Sequence, residues 1–440
     1  MHHSIRQLAL FTLLILLASC SPAPPPPPTA LPTAQATPTV RPTALPTPRP
    51  TAPPAITIVA EPTARPGALT LWAAAEEPRL EALRKLITDT SRPLGVEVQV
   101  VGKSPDGLHA DLRAAVLAGL PLPDLIWGTQ DDLGIVQRQG LLQPAGDRLD
   151  AEAFLPATII GATLDGERWG TPLAAQGALF LLYNKKLADR APRTSDELIV
   201  VARQQTVGDR YGLVAGWAEP RWLAAWLAGF GGHTLTANGE PSLDTPQMVA
   251  ALNLLKELRV AGPPPPSTYA EGARLFRQGR AAFALDGDWS LETYRQYTDT
   301  LDLGIAPLPL VPATGQAAAP PLGGIYLLYG KTLAGSQLAQ ARALGAALAR
   351  REAQARVAGE LGLLPALRAA LDDPAVQSDP ALATAALHAA DAGGLPPTEA
   401  LRCAWVAIAG RLPLVLLGEL APEEAGGLMQ SSAANCLVTP

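Results

Sequence analysis

The chain has 440 residues, 34 lysines and arginines against 40 aspartates and glutamates, and 48% hydrophobic residues. A formal charge of −6 without a basic stripe argues against a nucleic-acid partner, because phosphate binding needs clustered Lys and Arg. The apolar content supplies ample core, and the roughly 370 residues after a non-globular start exceed one usual domain, so two lobes are expected.

At the N-terminus, His2, His3 and Arg6 precede an apolar run over residues 8–17, too short for a stable membrane-spanning helix and patterned as a secretory signal. The run closes on Leu17-Ala18-Ser19-Cys20, which resembles the lipobox of bacterial lipoproteins; an ordinary cleaved signal is the alternative. The resemblance implies acylation of Cys20, which would tether the protein to the extracytoplasmic face of the cell membrane. Residues 21–66 read as a Pro/Thr-rich disordered stalk that includes Pro24 to Pro28 in one run. Proline fixes φ and lacks a donor, so this tract favours polyproline II at about 3 Å per residue and reaches on the order of 100 Å. With Cys20 lipidated, Cys403 and Cys436 remain, either bridged or as two free thiols in an oxidising compartment. No later apolar run reads as long and uninterrupted enough to cross a membrane.

The body opens as strand, helix, strand. Leu69-Thr70-Leu71-Trp72-Ala73 reads as a strand, and Glu76, Glu77 and Pro78 are helix-start signals. Leu80, Leu83, Leu86 and Ile87 share one helical face, which Pro93 and Gly95 terminate. Val96 to Val100 alternates as a strand; a helix over residues 108–119 precedes the strand Pro123-Asp124-Leu125-Ile126-Trp127. Strands alternating with helices imply a parallel sheet, whose ligands bind beyond the carboxyl ends of its strands. Later strands are expected at residues 178–183, 281–285, 303–306 and 323–328, with an alanine-rich helical remainder.

Taken in order, these pieces resemble the maltose-binding-protein type of extracytoplasmic solute-binding proteins that serve ABC importers. The resemblance is carried by Pro123-Asp124-Leu125-Ile126-Trp127, Gly140-Leu141-Leu142, Trp169-Gly170-Thr171-Pro172, Leu182-Tyr183-Asn184-Lys185-Lys186, Gly279-Arg280-Ala281-Ala282-Phe283 and Asp286-Gly287-Asp288-Trp289. It implies an α/β, two-lobe periplasmic-binding-protein fold (type II) with three interlobe crossings and a hinge cleft. Crossings are placed near residues 173–177, 304–309 and 359–365. Lobe one then comprises residues 67–174 plus 308–360, and lobe two residues 178–303 plus 366–440.

By position, Trp127 and Trp289 match aromatics that face the sugar in sugar-binding relatives, with core packing as the alternative. An aromatic face stacks on the C–H face of a pyranose, and carboxylates accept from its hydroxyls. Asp131, Asp132, Asp286 and Asp288 are the carboxylates beside those rings. Glu76 and Glu77 occupy a loop that contacts ligand in relatives or, equally, cap a helix. Gln176 stands near a crossing. Trp222 and Trp226, four apart, suit core or ligand, with Trp222 the better ligand candidate. Trp405 matches roughly a C-terminal aromatic that caps the sugar in some relatives; Trp72 and Tyr326 are further candidates, and Trp169 and Trp217 are assigned to packing. The Asp-Gly-Asp-Trp turn departs from a neutral Asn-Gly-Pro-Trp-like turn of many relatives, so a polyamine or other cation competes with a sugar as ligand.

The expected function is therefore capture of a small solute, foremost a sugar, for an ABC permease by a monomer that uses no cofactor and no metal. The alternatives are a sensor lipoprotein that presents ligand to a membrane kinase, and a cell-surface glycosidase. No His-x-x-x-His pair, Gly-x-Ser-x-Gly elbow or phosphate loop supports an enzyme; a carboxylate pair could still hide among the acids.

Overall fold

Parallel strands are buried on both faces, and the computed structural model, which describes residues 67–438 apart from 105, 106, 147, 148, 266 and 391, shows this in its first sheet. Its seven strands run in the order Leu364–Pro365, Gly170–Gln176, Gly323–Gly330, Leu125–Thr129, Leu69–Ala74 and Val98–Lys103, with Leu142–Gln143 pairing off this path. Leu69–Ala74 is parallel to both neighbours, so Ala73 stands beside Trp127 at the carboxyl edge. Gly323–Gly330 returns antiparallel to Leu125–Thr129 and Gly170–Gln176. Alternation divides the side chains: Leu69, Leu71 and Ala73 enter one core with the helix Arg79–Ser91, while Trp72 enters the other with Leu108 and Leu133.

The second sheet has four strands, Leu303–Ala306, Leu179–Asn184, Ala281–Gly287 and Tyr211–Ala215, in that order. Every residue of Ala281–Gly287 is buried, as a central strand requires. Its main core takes Trp222 and Trp226 from the helix Pro220–Gly229, together with residues of Pro246–Arg259, Glu399–Leu417 and Pro422–Val438. Glu399–Leu417 is long and apolar enough for a membrane span by length and composition, contrary to the expectation from sequence. It nevertheless buries Leu401, Ala404, Ile408, Leu412 and Val415 on the protein, as a core helix does. A disulfide joins Cys403 to Cys436 and ties the last two helices together.

The chain leaves the first sheet at Gln176 and enters the second at Leu179. It returns between Ala306 and Gly323, but later than residue 308. Leu310–Val311 and Gln316–Ala317 form a hairpin whose Val311 is buried, with Leu308 and Ala318, in the second sheet's core. Thr314 Oγ1 fixes it by donating to the Gly229 carbonyl at 2.6 Å. Residues 308–317 therefore belong with the second sheet, not with lobe one. Leu364–Pro365 still pairs with Gly170–Gln176, so the third crossing follows it. A cluster containing Ala175, Phe180, Leu322, Leu364 and Leu382 packs elements of both sheets at these crossings.

Candidate functional site

Sheet ends that cannot continue their ladders leave turns and helix starts facing one another. Between them lies a cleft of about 850 Å³, within the usual range for a small-molecule site. Trp127, Asp131, Asp132, Gln176, Asp288 and Trp289 all line it. Trp127 and Asp131 come from the edge of the first sheet, Asp288 and Trp289 from the turn that ends Ala281–Gly287. The cleft thus brings together the two candidate rings from opposite sheets.

The rings differ in setting. Trp127 is 4% exposed, an edge presented from the core, whereas Trp289 is 43% exposed and offers a free surface. Trp289 is held from beneath. Its Nε1 donates to Tyr269 Oη at 2.9 Å, and Tyr269 donates to Asp286 Oδ1 at 2.9 Å. Its ring meets Trp222 edge-on with centroids 5.9 Å apart. Trp222 itself is buried, donating Nε1 to the Leu285 carbonyl.

The four carboxylates divide by what already occupies them. Asp132 closes a capping box: it accepts from Thr129 N at 2.6 Å and Thr129 Oγ1 at 2.9 Å, and its other oxygen lies 2.7 Å from His109 Nε2. That contact holds the His109 imidazole above its ordinary pKa. Asp288 Oδ2 accepts from Gly177 N at 2.8 Å and Ala178 N at 3.2 Å, pinning the first crossing. Asp286 does not line the cleft. It is 2% exposed and accepts from Tyr269, Tyr294 and Gly287, which hold it beneath the wall. Asp131 is the carboxylate exposed in the cleft; its crowded site pushes its pKa up, against the nearby Arg221.

Other candidates fall outside. Glu77 accepts from Glu81 N and pairs with Arg84, and the Glu76 carbonyl accepts from Leu80 N, so both residues start the helix Arg79–Ser91. Trp405 is half-buried against the second sheet's core and is not among the lining residues. Trp72 and Tyr326 are buried in the first sheet's outer core, Lys103 Nζ lying 4.0 Å from the Trp72 ring centroid. Trp169 donates to the Leu164 carbonyl and Trp217 is buried. Cys20 lies outside the described residues. Sequence reasoning missed His109, Tyr269, Arg79, Arg221 and Arg295. Arg79 approaches Glu292 to 3.8 Å, linking the helix Arg79–Ser91 to the helix Leu291–Arg295, and Arg295 pairs with Asp379 at 3.0 Å.

Known proteins share this fold. A family described as bacterial extracellular solute-binding protein matches residues 89–384. The maltotriose-binding protein of Pyrococcus abyssi (strain GE5 / Orsay) is 25% identical over 357 residues, 80% of this chain and 78% of its own. The galactooligosaccharide-binding protein of Bacillus subtilis (strain 168) is 21% identical over 381 residues, 83% of this chain and 88% of its own. Among solved structures, the maltose/maltodextrin-binding domain from Bdellovibrio bacteriovorus bound to maltotriose superposes with a TM-score of 0.69 at 26% identity, over 84% of this chain and 99% of that one. The two-sheet architecture, the crossings and the family match agree: this chain belongs to the bacterial extracellular solute-binding proteins.

Proposed function

We propose that this protein captures a neutral oligosaccharide, of the kind its maltotriose-binding relative takes, in the cleft between its sheets and delivers it to an ABC importer. One observation carries the reading: Trp127 and Trp289, from different sheets, line one cleft together with the exposed carboxylate Asp131. Rings bind the apolar faces of a pyranose, and a free carboxylate accepts from its hydroxyls. Acids in the cleft had made a cation the rival ligand, but most are already matched. Asp132 meets His109, Glu292 meets Arg79 and Asp379 meets Arg295.

Delivery requires the protein to stay near its permease, and acylated Cys20 with its stalk would supply that tether. The protein binds and releases; no catalytic step is assigned to it. Thermal-shift measurements with maltotriose, a galactooligosaccharide and spermidine test the ligand class. Stabilisation by an oligosaccharide and not by spermidine is expected; the reverse would overturn the reading. Cys20→Ala should release the protein from membranes, and membrane-bound, palmitate-labelled Cys20→Ala protein would refute the anchor.

A further inference from the structure

A partly buried cation sits against two of the crossings. Arg221 lies in the first turn of the helix Pro220–Gly229, which follows the strand Tyr211–Ala215. Its guanidinium presses on the first crossing: a Cβ at Gly177 would stand 2.5 Å from Arg221 Nη1, and Gly177 has φ +88°, so a larger residue is doubly disfavoured there. Nη1 also donates to the Pro321 carbonyl in the second crossing at 3.4 Å. The guanidinium carbon stands 6.0 Å from the Trp289 ring centroid. One side chain therefore reaches two crossings and the exposed ring of the cleft.

A desolvated cation persists only where opposite charge offsets its lost hydration. The carboxylates that favour Arg221 are Asp131, from the edge of the first sheet, and Asp288, from the second. They act through space, and Asp288 meets it at Gly177, whose N–H donates to Asp288 Oδ2 at 2.8 Å beneath the guanidinium. The other cleft acids already have cations: Asp132 has His109, Glu292 has Arg79, Asp379 has Arg295, and Glu360 has Arg356. The further cations that favour Asp131 and Asp288, His109 and Arg79, already meet Asp132 and Glu292, so Arg221 is the cation that these two carboxylates share.

We propose that Arg221 is the specificity-determining residue that fits this acidic cleft to neutral, hydroxyl-bearing solutes and excludes cations. The inference rests on the sugar reading of the same site. A positive charge that acts on Asp131 through space, without a hydrogen bond to it, leaves that carboxylate free to accept hydrogen bonds from neutral hydroxyls. The same positive charge, acting in a poorly solvated cleft, cancels the attraction an incoming ammonium group would feel. Without Arg221, two carboxylates in one cleft make a cation site.

The test titrates maltotriose and spermidine, at low and high salt, into wild type, Arg221→Lys and Arg221→Met, with circular dichroism as the check on folding. Wild type and Arg221→Lys should bind maltotriose and ignore spermidine. Arg221→Met should bind maltotriose at least about ten-fold more weakly and gain spermidine binding that fades with salt. A merely structural role would lower stability without creating that new ligand. Arg221→Met that gains no spermidine binding, or wild type that binds spermidine, would overturn the inference. Wild type that ignores maltotriose while Arg221→Met gains spermidine would remove the sugar and keep the charge gate. Should Arg221→Met fail to fold, Asp131→Asn serves: it leaves Arg221 less compensated, so spermidine should stay excluded, and its binding would count against the inference.

Discussion

Trp289 is the most exposed ring in the cleft, and its orientation depends on residues that never touch the cleft surface. Tyr269 Oη accepts from Trp289 Nε1 and passes its own proton toward Asp286, so Tyr269→Phe would free the indole. A hydrogen bond of this kind is worth about 1 kcal/mol, so ligand affinity should fall roughly five-fold. Tyr294 donates to the other oxygen of Asp286 without contacting Trp289. Tyr294→Phe should therefore lower the melting temperature and spare affinity; equal affinity losses in both variants would contradict the relay. His109 supplies a second prediction at this scale. Its hydrogen bond to Asp132 raises its pKa in the folded chain, so the folded state binds the proton more tightly. The stabilisation is fully present below the unfolded value of about 6.5 and is lost as pH rises through the raised folded value. The gap in melting temperature between wild type and His109→Gln should be widest in mild acid and close at alkaline pH. A gap independent of pH would show that the pair does not carry charge.

At the scale of elements, the cleft is built from helix starts and strand ends that the chain holds in place from a distance. The helix Gln130–Arg138 begins with a capping box between Thr129 and Asp132, which orients Asp131 in its first turn. The final two helices are held by packing and by the bridge from Cys403 to Cys436, 33 residues apart. Closing such a loop in the unfolded chain is worth about 3–4 kcal/mol in the chain-entropy account. The Cys403→Ser, Cys436→Ser double variant should lose that much in urea denaturation, and thiol titration of the unfolded wild type should find neither cysteine free. Much of this scaffold was legible: short apolar runs marked Leu69–Ala74 and Ala281–Gly287, and Trp127 in Leu125–Thr129 and Trp289 just after Ala281–Gly287 pointed to residues that line the cleft. The hairpin at residues 310–317 was not, because its side is decided by contacts with Gly229 and Trp222's core, far away in sequence. Asp286 and Asp288 look equivalent in the sequence. Only Tyr269, Tyr294 and Gly177, brought in by the fold, assign one to the foundation and the other to the crossing. His109 and Arg221 carried no local signal at all, since their meaning lies in carboxylates on other elements.

The whole molecule joins two sheets through crossings pinned by Asp288 and Arg221, with a cleft lined from both sides. Under the proposed function, such a body would respond to ligand by closing about its crossings, and the closed form is what a permease would bind preferentially. Closure on a neutral ligand and closure on a cation differ in one respect that can be measured. Attraction between charges is screened by salt, whereas ring stacking and hydroxyl hydrogen bonds are not. The most direct test is calorimetric titration of maltotriose into wild type and Trp289→Ala at low and high salt. Wild-type affinity should be the same at both, and loss of the stacked ring should weaken it by about a hundred-fold. Unchanged affinity in Trp289→Ala, or wild-type affinity that collapses with salt, would contradict a cleft that holds neutral sugar between its rings.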